Sequence, residues 1–277
     1  MTPILQVAAE VLNVSPSQLT ATRIKGGLTN ESWCMASWQD AVVVRISTVD
    51  EQSLQLNRRS EALALQLAQQ AGIGAEVLLC APERRLLVTR LLDAQTLTLE
   101  AIRADRVEPV AQLLRRLHAL PAPASIQHID LAATLRGYWR SLEARPSADR
   151  QARSRGMDKA IAIAVESAHS GARCLCHNDV HHLNLMSNGQ RLWLLDWEYA
   201  GFGDPFFDLA SVCCYHQYDA TLRATLLQAY RGELLSEEID RLERMCWLFD
   251  YIRELWLAVR GLDMDATDRV TALQPIK

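Results

Sequence analysis

Hydrophobic positions along the first third of the chain follow two rhythms. Ile4, Leu5, Ala8 and Leu12 recur at helical spacing and predict a short amphipathic helix over residues 3–12, closed by Asn13 and Ser15-Pro16. The pattern then turns to strands at 22–24 and 31–36, joined by a turn that runs Lys25-Gly26-Gly27-Leu28-Thr29-Asn30. Residues 41–46 form a dense β-branched run, AVVVRI, and predict a further strand interrupted by Arg45. A helix over about 51–71 follows and ends at Gly72-Ile73-Gly74. Two more strands, 76–80 and 85–91, complete an antiparallel sheet.

Beyond residue 92 the rhythm is mainly helical. A short turn starts at Leu99, and a helix over about 108–120 places Val110, Leu113, Leu114 and Leu117 on one face, with Pro109 in its first turn and His118 as an ordinary residue of its last. Helices follow over 129–142 and 149–170. The apolar run Cys174-Leu175-Cys176 reads as a buried strand. LNLM and RLWLLDW then form a hairpin about Ser187-Asn188-Gly189. Asp204-Pro205 opens another helix, and two more cover about 219–231 and 236–261. The pattern is α+β: a small antiparallel β lobe followed by a larger, mostly helical one.

Composition narrows the function classes. The chain has 277 residues, 49% hydrophobic and 22% charged, with net charge −4 and no long basic run, so a nucleic-acid partner is not expected. No apolar run is long enough to span a membrane, and the N-terminus lacks the basic start of a signal peptide and carries Glu10 in its apolar part. The seven cysteines include Cys174-x-Cys176 and Cys213-Cys214 but no CxxC pair, which favours free thiols in a reducing, cytoplasmic setting. Oligomeric state is not readable from these features. Arg58 and Arg59 read as solvated helix-face charges.

The candidate chemistry lies in residues 177–208. His177-x-Asp179-x4-Asn184 precedes the hairpin, and Asp196 ends it with Glu198 two residues on. A hairpin brings Asn184 and Asp196 side by side. An oxygen-donor pair of this kind suits magnesium, and a nearby carboxylate can accept a proton from an attacking hydroxyl. This set, with Leu194-Leu195-Asp196-Trp197-Glu198, Gly203-Asp204-Pro205 and Asp208-Leu209-Ala210, resembles the aminoglycoside phosphotransferase and choline kinase superfamily, nearest to its choline, ethanolamine and thiamine kinase branch.

The resemblance implies a two-lobed protein-kinase-like fold, with residues 1–92 as the nucleotide-binding lobe and 93–277 as the catalytic and acceptor lobe. It implies ATP and Mg2+ as cofactors and transfer of the γ-phosphate to a hydroxyl of a metabolite such as choline or ethanolamine. Thiamine, an aminoglycoside, or nucleotide binding without turnover are the alternatives. Asp179 is then the catalytic base, and Asn184 and Asp196 hold the metal. Gly26, Gly27, Thr29 and Asn30 cover the nucleotide, Arg45 meets its phosphates, and Glu61 orients Arg45. Glu198 and Trp256, with Tyr251, Trp247, Tyr215 and Tyr199 as further aromatic candidates, would face the acceptor. His177, Asp204 and Asp208 would support the loops. The chain departs from the choline kinase pattern at Arg253, where such enzymes often carry a second aromatic. His181 and His182 receive no role.

Overall fold

The computed structural model describes residues 2–24, 29–52, 54–143, 154–169 and 171–262. Gly26 and Gly27 of the expected nucleotide-covering turn lie outside these residues, as does most of the basic stretch 145–155.

The sheet follows from alternation. Strands β1 (Thr20–Ile24), β2 (Asn30–Ala36), β3 (Ala41–Ser47), β4 (Val77–Ala81) and β5 (Leu86–Arg90) pair antiparallel in the order β1-β2-β3-β5-β4. In β3, Val42 and Val44 are fully buried against Met35, Val88 and Ile4, Val7 and Ala8 of helix α1 (Thr2–Leu12). Their neighbours Val43 and Arg45 point to the opposite face, which lines the interlobe cleft. Arg45 stands opposite Ser32 on one flanking strand and Leu87 on the other.

Helix α2 (Arg58–Gln70) begins where Asn57 accepts hydrogen bonds from the amides of Arg59 and Ser60, both at 3.1 Å. This cap satisfies donors that the first turn leaves unpaired. Ser60, Glu61, Ala64, Leu65 and Ala68 form its buried face.

The large lobe is built from α3 (Leu99–Ala104), α4 (Val107–His118), α5 (Leu131–Glu143), α6 (Met157–His169), α7 (Pro205–Tyr215), α8 (Ala220–Arg231) and α9 (Ser236–Arg260). The expected helix from 149 is described as such only from Met157. Its core includes Leu114, Leu117, Leu135, Trp197 and Phe206, all nearly inaccessible. No helix among the described residues is long and apolar enough to cross a membrane.

Short strands fasten the site to this core. Residues 95–96 (β6) pair with β8 (Leu185–Ser187), which pairs with β9 (Leu192–Leu194). The β8–β9 turn is the Ser-Asn-Gly expected from the sequence, and Gly189 adopts φ 90°, open to glycine at no steric cost. Strand β7 (Cys174–Cys176) pairs with β10 (Gly201–Gly203).

Candidate active site

The hairpin sets the first geometry. The Leu195 amide donates to the Asn184 carbonyl at 2.8 Å, just beyond the Leu185–Leu194 pair, so Asn184 and Asp196 leave the two strands together. Asp196 adopts φ 61° and Asn178 φ 67°, a left-handed backbone uncommon outside glycine. Both residues flank the loops that carry the candidate chemistry, where such strain tends to collect.

Asp179 is held from several sides. The Tyr215 hydroxyl donates to its Oδ1 at 2.8 Å, the Asn184 amide lies 3.4 Å from Oδ2, and His181 Nε2 is 3.6 Å from the same oxygen. Burial pushes this carboxyl up, but His181 and the Tyr215 hydroxyl outweigh it and hold Asp179 below the usual carboxylate range. It is therefore ionised at neutral pH. Asn184 also donates to the Asp179 carbonyl at 2.9 Å, which leaves its side-chain oxygen for a cation.

The loop beneath Asp179 is pinned by buried groups. His177 accepts from the Asp179 amide at Nδ1, 3.3 Å, so its Nε2 carries the proton and donates to the Leu195 carbonyl at 2.9 Å. With burial lowering its pKa, His177 is a neutral brace between the two loops. Asp208, fully buried in the first turn of α7, accepts from the amides of His177 and Asn178 at 2.8 and 2.6 Å. Asp204 caps α7 through the Phe206 amide and accepts from Ser167 and Arg241.

Asp196 meets the other lobe. Arg45 Nη1 donates to its Oδ1 at 2.6 Å, while Arg45 Nη2 pairs with Glu61. Burial and the neighbouring Glu198 push the Asp196 carboxyl up to about 8, against the opposing pull of Arg45. Burial also pushes Glu61 up, but Arg45 and Arg58 outweigh it and hold Glu61 low.

Glu198, expected to face the acceptor, lines the cleft but is 3% exposed and accepts from Thr29 Oγ1 at 2.7 Å, Asn30 Nδ2 at 3.0 Å and Arg58 Nη1 at 3.2 Å. One expectation is corrected here. Arg58 is not solvated. It is 8% exposed and reaches Glu51 at 3.0 Å, Glu61 at 2.8 Å and Ser47 as well as Glu198. A buried guanidinium requires such partners, and here it ties three carboxylates on both sides of the cleft.

The cleft between the lobes measures about 890 Å³, a volume typical of small-molecule sites. Arg45, Asp179, Asn184, Asp196 and Glu198 line it. So do Leu91, Leu92 and Ala94 of the connection between the lobes. An aromatic wall stands near Asp179: Tyr138, Tyr199, Tyr215, Phe249 and Trp256, with Trp256 Nε1 donating to the Tyr199 hydroxyl at 2.8 Å. Tyr138 escaped sequence reasoning because it sits among the apolar positions of α5 with no motif to mark it.

Tyr251 and Trp247 do not belong to that wall. They stack flat on each other, ring centroids 5.5 Å apart, away from the cleft, with Tyr251 against Gly156 and Lys159 over Trp247. Arg253 does line the cleft; its guanidinium lies 5.3 Å from the Tyr215 ring centre and pairs with Asp250 at 2.9 Å.

Oxygen donors from Asn184 and Asp196 at one hairpin end fit magnesium, which favours carboxylate and carbonyl oxygens and retains waters. The cleft as a whole combines an ionised carboxylate, an oxygen-donor pair and a paired arginine within one small-molecule volume.

Residues 20–245 match the model of the phosphotransferase enzyme family. The chain is 30% identical to the LicA protein of Haemophilus influenzae over 192 residues, 68% of this chain and 56% of that protein. It is also 30% identical to the streptomycin 6-kinase of Streptomyces griseus over 202 residues, 69% of this chain and 61% of the enzyme. It thus spans about three fifths of the length of these curated relatives. The crystal structure of the choline kinase LicA from Streptococcus pneumoniae superposes with TM-score 0.78 at 21% identity, covering 99% of both chains. The two-lobed α+β architecture is therefore the kinase-like fold of that structure.

Proposed function

Because the chain belongs to the phosphotransferase enzyme family, we propose that it is an ATP-dependent kinase that moves the γ-phosphoryl group onto the hydroxyl of a small amino alcohol, choline or ethanolamine first. The observation that carries this reading is the Asp179 carboxylate, ionised and aimed by Tyr215 beside an aromatic wall. It is suited to orient an acceptor hydroxyl and take its proton as the new P–O bond forms. Arg45, steadied by Glu61, is suited to the nucleotide phosphates once it leaves Asp196. Asn184 and Asp196 would hold magnesium, which when bound neutralises phosphate charge.

Glu198 takes a different part from an acceptor ligand. Its bonds to Thr29 and Asn30 tie the start of β2 to the large lobe. The acceptor's ammonium is left to the ring faces of Tyr138, Tyr199 and Trp256, each contributing about 1–2 kcal/mol when desolvated. A second reading keeps the machinery and changes the acceptor to thiamine or an aminoglycoside. The 30% identity to the streptomycin 6-kinase supports it.

Magnesium-dependent ATP consumption against choline, ethanolamine, thiamine, an aminoglycoside and an amino sugar tests both, with Asp179→Ala as the control. Turnover on choline or ethanolamine supports the first reading, and turnover confined to the others supports the second. ATP bound without turnover on any acceptor would leave a nucleotide-binding module.

A further inference from the structure

Beneath the catalytic loop, at positions that do not line the cleft, three soft donors converge. The period-two side-chain alternation of β7 turns Cys174 and Cys176 to one face and Leu175 to the other. Their sulfurs lie 3.7 Å apart. The last turn of α4 brings His118 to the same place, and one of its ring nitrogens and both sulfurs lie within 4.8 Å of one another.

The sulfur spacing is informative. A tetrahedral zinc ion with Zn–S bonds of about 2.3 Å holds two thiolates about 3.8 Å apart. The strand backbone supplies that spacing without any motion. A search for CxxC pairs overlooks it, because Cys-x-Cys brings two sulfurs to one side only when the segment is extended.

The histidine is oriented for the same purpose. Asp208 already accepts from two backbone amides and can only accept from His118, whose Nε2 lies 3.0 Å from its Oδ2. Nε2 therefore carries the proton, and Nδ1 presents its lone pair, now met by the Tyr230 hydroxyl at 2.8 Å. A carboxylate behind a ligating histidine is the usual outer partner of a zinc site.

We propose that Cys174, Cys176 and His118 Nδ1 form a binding site for a thiophilic divalent cation of the zinc class. Two S–metal bonds form as the two thiols release their protons, the Tyr230 hydroxyl turns off Nδ1, and water at the half-buried Cys174 side fills the fourth position. The site is separate from the oxygen donors of the cleft, since soft nitrogen and sulfur ligands select against magnesium. It bears on the catalytic loop through Asp208: a cation on Nδ1 makes Nε2–H a stronger donor to the carboxylate that holds the His177 and Asn178 amides.

Cadmium is the probe. Titrated into the reduced full chain in excess magnesium, it should raise an ultraviolet thiolate-to-cadmium band that saturates at one equivalent and releases two protons. Zinc should displace it and quench the band. Cys174→Ser should remove the band and leave basal kinase activity unchanged, while Cys34→Ser and Cys80→Ser retain it. His118→Gln should weaken affinity by more than about 100-fold, the upper end of the loss that an outer partner alone would give. A band that survives Cys174→Ser, or that follows Cys246→Ser instead, overturns the proposal. So does affinity unmoved by His118→Gln.

Discussion

Asp179 and Asp196 project from neighbouring loops into one cleft, yet their surroundings are opposite in kind. Asp179 is held by groups of the large lobe alone: Tyr215, Asn184 and His181 around the carboxylate, His177 and Asp208 beneath the loop. Asp196 is held across the cleft, by Arg45 of the sheet, within a cluster that also joins Glu61, Arg58 and Glu198. One carboxylate is prebuilt by a single packed body. The other depends on two bodies meeting, and its arginine partner occupies the position that cations and phosphates would claim.

Replacing the prebuilt member should have the largest effect. Asp179→Ala should lower turnover by about 10²–10⁴-fold, the usual contribution of a positioned acid–base group, with ATP affinity largely retained in equilibrium binding. Unchanged turnover would remove Asp179 from the chemistry.

Breaking the cross-cleft cluster should act on stability instead. Arg58→Ala leaves Glu61 and Glu198 short of a buried cation and should destabilise the protein by about 3–5 kcal/mol in denaturant unfolding. A loss below 1 kcal/mol, on the order of an exposed pair, would show the cluster to be solvated.

The prebuilt side can be loosened without being removed. Tyr215→Phe deletes one hydrogen bond to a charged acceptor, on the order of 1.5–3 kcal/mol. Asp179 would then titrate higher, so the acid limb of kcat/KM should move to higher pH by about one to two units. An unmoved acid limb would leave Tyr215 as packing alone.

The smallest expected effect is a pH dependence on the Asp196 side. Its folded pKa of about 8 lies above that of an unfolded aspartate, so the folded state retains a proton that the unfolded state has released. Its contribution to stability is lost as pH rises toward and through about 8; on the proposed reading, in which Asp196 would hold magnesium, nucleotide affinity should rise over the same range. Melting of the metal-free protein across pH 6–9 should show a slope that Asp196→Asn removes. An equal slope in the variant would place the titrating group elsewhere.

Much of the prebuilt side was legible in the sequence because its cues are local. The Ser-Asn-Gly turn fixes the register that puts Asn184 beside Asp196, and Asp204-Pro205 announces the helix whose first turn carries Asp208. The cross-cleft side was harder to read. Arg58 follows an N-cap asparagine at the start of an amphipathic helix, and nothing nearby says that a carboxylate 140 positions later will cover it. Among the expected aromatics, Tyr199, Tyr215 and Trp256 do line the cleft, and Tyr251 does not for a geometric reason. Tyr251 and Trp256 are five positions apart, about 140° around a helix of 3.6 residues per turn, so α9 cannot turn both to one side. The cleft instead receives Phe249, Ile252, Arg253 and Trp256, at helical spacings of three and four.

The bonds from Thr29 and Asn30 to Glu198 join positions 169 and 168 residues apart. At a synthesis rate of roughly 5–20 residues per second, Thr29 and Asn30 are added about 8–34 s before their distant carboxylate. Arg45 and Glu61, only 16 positions apart, can pair within that interval. Thr29 and Asn30 likewise meet Thr48 and Ser47 early, so only their tie to the large lobe waits for Glu198. The tie between the sheet and the large lobe at Glu198 is therefore among the last features a newly made molecule acquires.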